Sequence, residues 1–223
     1  MGSTKRKTEP MDPGKVPKAV VSRLSLYLRE LQRLSRDDEA TINSHQLGQL
    51  LGFTDAQVRK DLAYFGQFGH PGVGYRCDEL VTAIRHILGT DRTWRVVMVG
   101  VGNLGRALLG YRGFATQGFE IIAAFDADEK KTGVDLEGAP VHPISELERV
   151  VREQQVTLGL VAVPADAAQA VADELVAAGV SGILNFAPVT LSLPAGISLV
   201  GVDLANEMEQ LCFSVANRLD PGT

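Results

Sequence analysis

The chain has 223 residues, of which 45% are apolar and 22% charged, a composition that excludes disorder throughout and fibrous repeats. No apolar run approaches the roughly 20 residues that span a bilayer, and residues 1–20 have no signal-peptide character, so no membrane partner and a cytoplasmic location are expected. The net charge of −5 is split: residues 1–89 hold 13 Lys and Arg against 10 Asp and Glu, and residues 90–223 hold 9 against 17, so the first region suits a polyanion such as nucleic acid.

Residues 1–15 mix Lys5, Arg6 and Lys7 with Pro10, Pro13 and Gly14 and lack an apolar period, which predicts a disordered arm. From Pro17 onward, Val20, Leu24, Tyr27, Leu28, Leu31 and Leu34 recur at steps of three and four, the face of a first helix. Ser44 is expected to cap a short second helix carrying Leu47, Leu50 and Leu51 and ending at Gly52. Thr54-Asp55-Ala56-Gln57 has the form of a capping box and opens a third. Two short helices joined by a tight turn make a helix-turn-helix.

With Val58, Leu62 and Phe65 inward, the opposite face of the third helix presents Ala56, Lys60, Ala63 and Tyr64, flanked by Gln57 and Arg59. Small residues allow close approach to bases, Gln57 and Arg59 can pair with base edges, and Lys60 suits a phosphate. A plain α-helical domain with a solvated face has the same pattern up to this point. Residues 65–75 then place four glycines among aromatics, as expected for a hairpin with its tip at His70-Pro71-Gly72. A hairpin directly after such a helix is a wing. Asp78 is expected to cap a fourth helix with Leu80, Ile84, Ile87 and Leu88 inward and Gly89 as its end. A winged helix-turn-helix domain is thus predicted over residues 16–89.

The second half alternates strands and helices, the signature of a Rossmann-like, doubly wound parallel sheet and hence an α/β fold. Strands are expected at residues 95–99, 120–125, 156–163, 183–186 and 198–202, with a helix from the glycine loop to about Tyr111 and another over residues 165–178. Residues 90–203 form this domain. Leu204, Met208, Leu211, Val215 and Leu219 form the stripe of a terminal helix over residues 204–219.

Gly100-Val101-Gly102-Asn103-Leu104-Gly105 follows a strand, opens a helix and is answered by Asp126 at the end of the next strand. That is the context a dinucleotide-binding GxGxxG requires. Gly100 makes the tight turn, Gly102 lets the backbone approach a pyrophosphate, and Gly105 permits close helix packing. The Asp126 carboxylate can accept from both ribose hydroxyls and would repel a 2′-phosphate. NAD(H) is therefore preferred over NADP(H), slightly less so for the nearby Lys130 and Lys131. Domains of this shape that hold no nucleotide, or that hold coenzyme A, remain alternatives. No catalytic residue is expected: His142 is the one histidine of this half, beside Pro140 and Pro143, and no Tyr-x-x-x-Lys pair occurs. Cys77 and Cys212 form no CxxC, so neither a disulfide framework nor a zinc or other metal site is expected. A dinucleotide site without acid–base machinery reads as a sensor.

The chain resembles the Rex family of bacterial redox-sensing transcriptional repressors from about Val16 to Leu219. The phrases that carry this are Arg23-Leu24, Gln57-Val58-Arg59-Lys60-Asp61-Leu62, Tyr64-Phe65-Gly66, Gly72-Val73-Gly74-Tyr75, the glycine loop, Phe125-Asp126, Val163-Pro164-Ala165, Asn185-Phe186-Ala187-Pro188 and Val202-Asp203-Leu204. The resemblance implies a homodimer that binds double-stranded operator DNA through its winged helices and NADH or NAD+ through its Rossmann domains. It also implies a terminal helix exchanged between subunits and an NADH complex with lowered operator affinity. At the wing tip, where similar proteins often carry Lys or Arg, this chain has His70-Pro71, and His70 is the remaining candidate contact there.

Val163, Pro164 and Asn185 join the cofactor candidates, with Phe186 and Pro188 as apolar surroundings for the uncharged reduced ring. Arg23, Tyr111 and Asp203 are candidate switch residues, with Asp203 pairing with Arg23 in one state and Tyr111 in the other. Two other functions compete: a bifunctional NAD-dependent oxidoreductase with a DNA-binding domain, and an acyl-CoA-responsive regulator.

Overall fold

The structure is a computed structural model that describes residues 16–37, 39–69 and 73–219, with side chains to residue 217. The arm expected at residues 1–15 and the tip His70-Pro71-Gly72 lie outside the described residues. The chain divides into two compact units, Met1–Arg92 and Thr93–Thr223.

In the first unit, helix α1 (Lys18–Arg36) buries Val20, Leu24, Tyr27, Leu28 and Leu31 along its apolar stripe. Against it pack α2 (Ser44–Leu51), α3 (Asp55–Ala63) and α4 (Cys77–Leu88), which contribute Leu47, Val58, Leu62, Leu80 and Ile84 to one core. Periodicity located these helices; their caps were harder to place. Asn43, not Ser44, caps α2, because Gln46 stands three residues after Asn43 and closes a reciprocal box: each side chain accepts the other's backbone N–H at 2.9 Å. At α3 only half of the expected box forms. Thr54 Oγ1 accepts from the Gln57 N–H, but the Gln57 amide turns away to Asp61. Helix α4 begins one residue before Asp78, since strand β2 (Tyr75–Arg76) runs directly into it, and Asp78 sits in the first turn, paired with Arg76.

The wing also differs in detail. Strand β2 pairs antiparallel with β1 (Thr41–Ile42), while residues 65–69 form no strand. A glycine-rich arm offers few side chains to hold a ladder. The two arms nevertheless approach: a Cβ on Gly69 would stand 2.5 Å from the Gly74 carbonyl oxygen.

The second unit is a seven-stranded sheet formed by β3 (Trp94–Val99), β4 (Phe119–Asp126), β5 (Asp135–Leu136), β6 (Ala139–Pro143), β7 (Leu158–Val161), β8 (Gly182–Asn185) and β9 (Ser198–Gly201). Their order is β5-β6-β4-β3-β7-β8-β9, and all neighbours are parallel except β5 and β6. One face is sealed by α7 (Leu147–Glu153) and α8 (Ala165–Ala178), whose Leu147, Val151 and Leu175 meet Val97, Val99, Phe125 and Ile183. The other face is covered over β3 and β4 by the short α5 (Asn103–Leu109) and α6 (Gly113–Thr116). Toward β9 it stays open, as an apolar groove of about 300 Å3 lined by Leu158, Leu160, Leu184 and Val200 among others.

The chain crosses from one half of the sheet to the other between β3 and β7. The C-terminal ends of those two strands are therefore the topological switch point where ligands of open α/β sheets bind. Helix α9 (Leu204–Leu219) is the last described element.

Candidate functional site

The glycine loop leaves β3 at this switch point. Gly100 has φ +98°, and a Cβ there would stand 2.4 Å from the Ala162 carbonyl oxygen after β7, so the position requires glycine twice over. A Cβ on Gly105 would collide with the Gly100 carbonyl oxygen at 1.9 Å, and this close approach is what presses α5 onto the loop. Gly102 differs from both. It has φ −70°, a value any residue adopts, and a Cβ there would meet nothing within 4 Å. The space over Gly102 is free, bordered by the exposed Asn103 and Leu104 that open α5, whose first N–H groups have no intrahelical partner. Such a cradle fits the pyrophosphate of a dinucleotide.

Asp126 ends β4 beside this loop with 9% of its surface exposed. Its Oδ2 accepts the Val101 N–H at 2.9 Å and its Oδ1 the Asp128 N–H at 2.9 Å, while the Lys131 ammonium lies 3.2 and 3.3 Å from the two oxygens. Burial pushes this carboxyl up, but the backbone donors at Asp128 and Val101 and the Lys131 charge outweigh it and hold the group below its usual range. Asp126 is thus an ionised acceptor at the lip of the cradle.

The remaining cofactor candidates line the strand ends around it. Val101 is buried, Val163 half-buried, and the exposed Pro164 caps α8. Asn185 is spent locally: its amide donates to the Ala187 and Val189 carbonyls and its Oδ1 accepts the Ala187 N–H. It shapes the turn that presents the half-buried Phe186 and the exposed Pro188.

In the first unit, Ala56, Arg59 and Lys60 are exposed on α3, while Gln57 and Tyr64 are half-buried. Arg59 donates to Asp55 at 2.7 Å and to Ser44 Oγ at 3.1 Å, contacts on the surface that a phosphate or base can replace. Gln57 points inward. Its amide donates at 2.7 Å to Asp61, a fully buried carboxylate that also takes two bonds from Arg23 on α1, at 2.6 and 2.8 Å, and one from the Tyr27 hydroxyl at 2.8 Å. Burial raises the Asp61 carboxyl, yet the bonds from Arg23, Tyr27 and Gln57 prevail and hold it below its ordinary value.

The sequence reading missed Asp61 because a charged residue on a surface helix reads as solvated. The available signal was its place between Val58 and Leu62 on the inward face, with Arg23 and Tyr27 four residues apart on α1.

Of the switch candidates, Arg23 is engaged by Asp61 within the first unit. In the second, Asp203 Oδ1 caps α9 by accepting the Ala205 and Asn206 N–H groups at 2.9 and 3.3 Å. Tyr111 is exposed after α5 and packs edge-on against Phe114, their ring centres 5.2 Å apart.

Residues 15–63 match the family described as putative DNA-binding protein N-terminus, and residues 91–189 match the CoA binding domain. The redox-sensing transcriptional repressor Rex of Carboxydothermus hydrogenoformans is 50% identical over 90% of this chain and 97% of its own. That of Streptomyces coelicolor is 46% identical over 89% of this chain and 77% of its own. Among solved structures, RSP in complex with β-NAD+ and operator DNA superposes with a TM-score of 0.85 at 35% identity, over 92% of this chain and 93% of that one. RSP in complex with β-NADH gives 0.82 at 33% identity, over 93% and 95%.

Proposed function

The chain belongs to the family of Rex redox-sensing transcriptional repressors, and we propose that it binds operator DNA as a homodimer through residues 16–89 and releases it when NADH enters the Rossmann domain of residues 90–203. The observation that carries the cofactor half is the open space over Gly102 beside the ionised Asp126. NADH and NAD+ differ by the positive charge of the oxidised ring. A ring site walled by Phe186 and Pro188 favours the neutral form, because burying the cation costs its hydration. Differential affinity of that kind is what a ligand needs in order to shift a two-state equilibrium.

The DNA half rests on Ala56, Arg59 and Lys60 on α3 and Tyr64 at its end, with His70, outside the described residues, as a further proposed contact. Gln57, whose amide is held by Asp61, acts through the helix's position. Between the two, Arg23, Tyr111 and Asp203 are the proposed relay, and α9 is the element exchanged between subunits. Every described side chain of α9 is exposed, Leu204 at 66%, Met208 at 59% and Phe213 at 70% among them, so the helix leaves an apolar surface that a second copy would cover. Among the described residues no helix is long and apolar enough to cross a membrane, and the proposed place of work is the cytoplasm.

The match to a CoA binding domain supports a second reading, regulation by an acyl-CoA. The Asp126 carboxylate favours the first reading, since it is placed to accept from a free ribose diol, whereas the adenosine ribose of coenzyme A carries a phosphate in place of one of those hydroxyls. An electrophoretic shift of genomic fragments separates the two. NADH should release the bound fragments while NAD+ and acyl-CoA leave them bound; release by acyl-CoA alone would favour the second reading, and release by neither would reject both.

A further inference from the structure

An ionised carboxylate offers about four lone-pair positions, and in Asp126 the four contacts to Val101, Asp128 and, twice, Lys131 fill that number. A ribose diol that is to be held by Asp126 has to displace one of these donors. The two backbone donors are fixed by the glycine loop and by the turn after β4. The ammonium is the replaceable one: it sits on a flexible stem, its side chain is 36% exposed, and its contacts are the longest of the four.

Resting on the NAD(H) reading above, we infer that Lys131 is the residue that limits discrimination against a 2′-phosphate: it occupies the ribose acceptor in the free protein and masks the charge that would repel NADPH. The two effects act in opposite directions on the two cofactors. NADH competes with the ammonium for Asp126 and binds less tightly than a bare carboxylate would allow. The phosphate of NADPH instead approaches a neutralised pair, with the ammonium able to turn toward it. Lys130, one position earlier, is exposed, and its backbone N–H donates to Asp128 in the turn, while among the described residues its ammonium has no hydrogen-bond or ion-pair partner. The neighbouring lysines therefore have separate roles, although both carry the same charge.

The test is direct titration of the full-length protein with NADH and with NADPH, followed by the fluorescence of the reduced ring, for the wild type, Lys131→Met and Lys130→Met. Lys131→Met keeps the apolar stem and removes the charge. It should tighten NADH about threefold and weaken NADPH about threefold, raising the ratio of the two affinities about tenfold, while Lys130→Met leaves that ratio within twofold. A ratio that is unchanged or lowered in Lys131→Met, or raised equally in Lys130→Met, overturns the assignment and leaves the NAD(H) reading intact. Failure of the wild type to bind NADH overturns both. Thermal melts of the three free proteins check that each is folded, so a lost fold is not mistaken for a lost site.

Discussion

Asp61 is the residue on which the presentation of α3 depends, because it accepts four hydrogen bonds inside an apolar core, three of which, from Arg23 and Tyr27, join α3 to α1. A buried carboxylate costs several kcal/mol of lost hydration and is tolerable only when fully paired. Replacing it by asparagine removes the charge and turns an N–H toward the donors of Arg23, Tyr27 and Gln57. We expect Asp61→Asn to lose about 2–4 kcal/mol of stability in the first unit, at the lower end for a buried pair because Arg23 keeps 21% of its side chain in water. The pH dependence has a definite sign. A carboxyl held below its unfolded value, about 3.9, contributes stability that is present above that pH and lost as pH falls through the folded value. The gap in melting temperature between wild type and Asp61→Asn should thus be largest near pH 7 and shrink below about pH 4. A gap independent of pH would show that the charge of Asp61 is not what holds the helices.

At the level of elements, the strand–loop–helix around Gly100 separates two roles that a motif alone runs together. Gly105→Ala would drive a methyl into the Gly100 carbonyl oxygen, so α5 must lift off; the melting temperature of the second unit and NADH affinity should fall together. Gly102→Ala has ordinary dihedrals and open space, so the fold should melt as wild type does while NADH affinity drops at least tenfold, the methyl now standing in the ligand's volume. Calorimetry and NADH titration of both variants check this. Tight NADH binding by Gly102→Ala would place the pyrophosphate elsewhere.

The backbone geometry around Gly100 and Asp126 was legible in advance because glycine spacing and the acidic residue after the next strand encode it directly. The strand alternation and the exact span of α8 were legible for the same reason, since periodicity reports burial. Less was visible where partners are distant or local choices compete. Asn43 and Ser44 are both good caps, and only the reach of Gln46 decides between them. The β5–β6 hairpin and α7 are too short for a periodic signal. The engagement of Gln57 and Asn185 by their own surroundings depends on side-chain directions that spacing alone does not give.

At the scale of the molecule, two apolar surfaces are left uncovered among the described residues: the stripe of α9 and the open groove over β7, β8 and β9. A dimer that exchanges α9 would cover such surface and set the spacing of two recognition helices, which is the quantity an operator with two half-sites reads. Leu211→Asp puts a charge in the middle of the stripe. It should yield a folded monomer by light scattering that still binds NADH but loses operator affinity, because one half-site contact no longer supports the other. Asp203→Asn tests the relay separately. The asparagine oxygen can still accept from Ala205 and Asn206 and so keeps the α9 cap that alanine would lose, at about 1 kcal/mol. What it removes is the charge on which the proposed relay depends. Asp203→Asn should therefore remain dimeric and bind NADH within about tenfold of wild type, roughly 1.4 kcal/mol, while the difference in operator affinity between the NADH and NAD+ forms contracts. The contrast follows from linkage: a variant that loses the dimer loses both operator-bound states, whereas one that loses only the relay equalises them. An Asp203→Asn dimer whose operator binding still responds to NADH as wild type does would take Asp203 out of the switch.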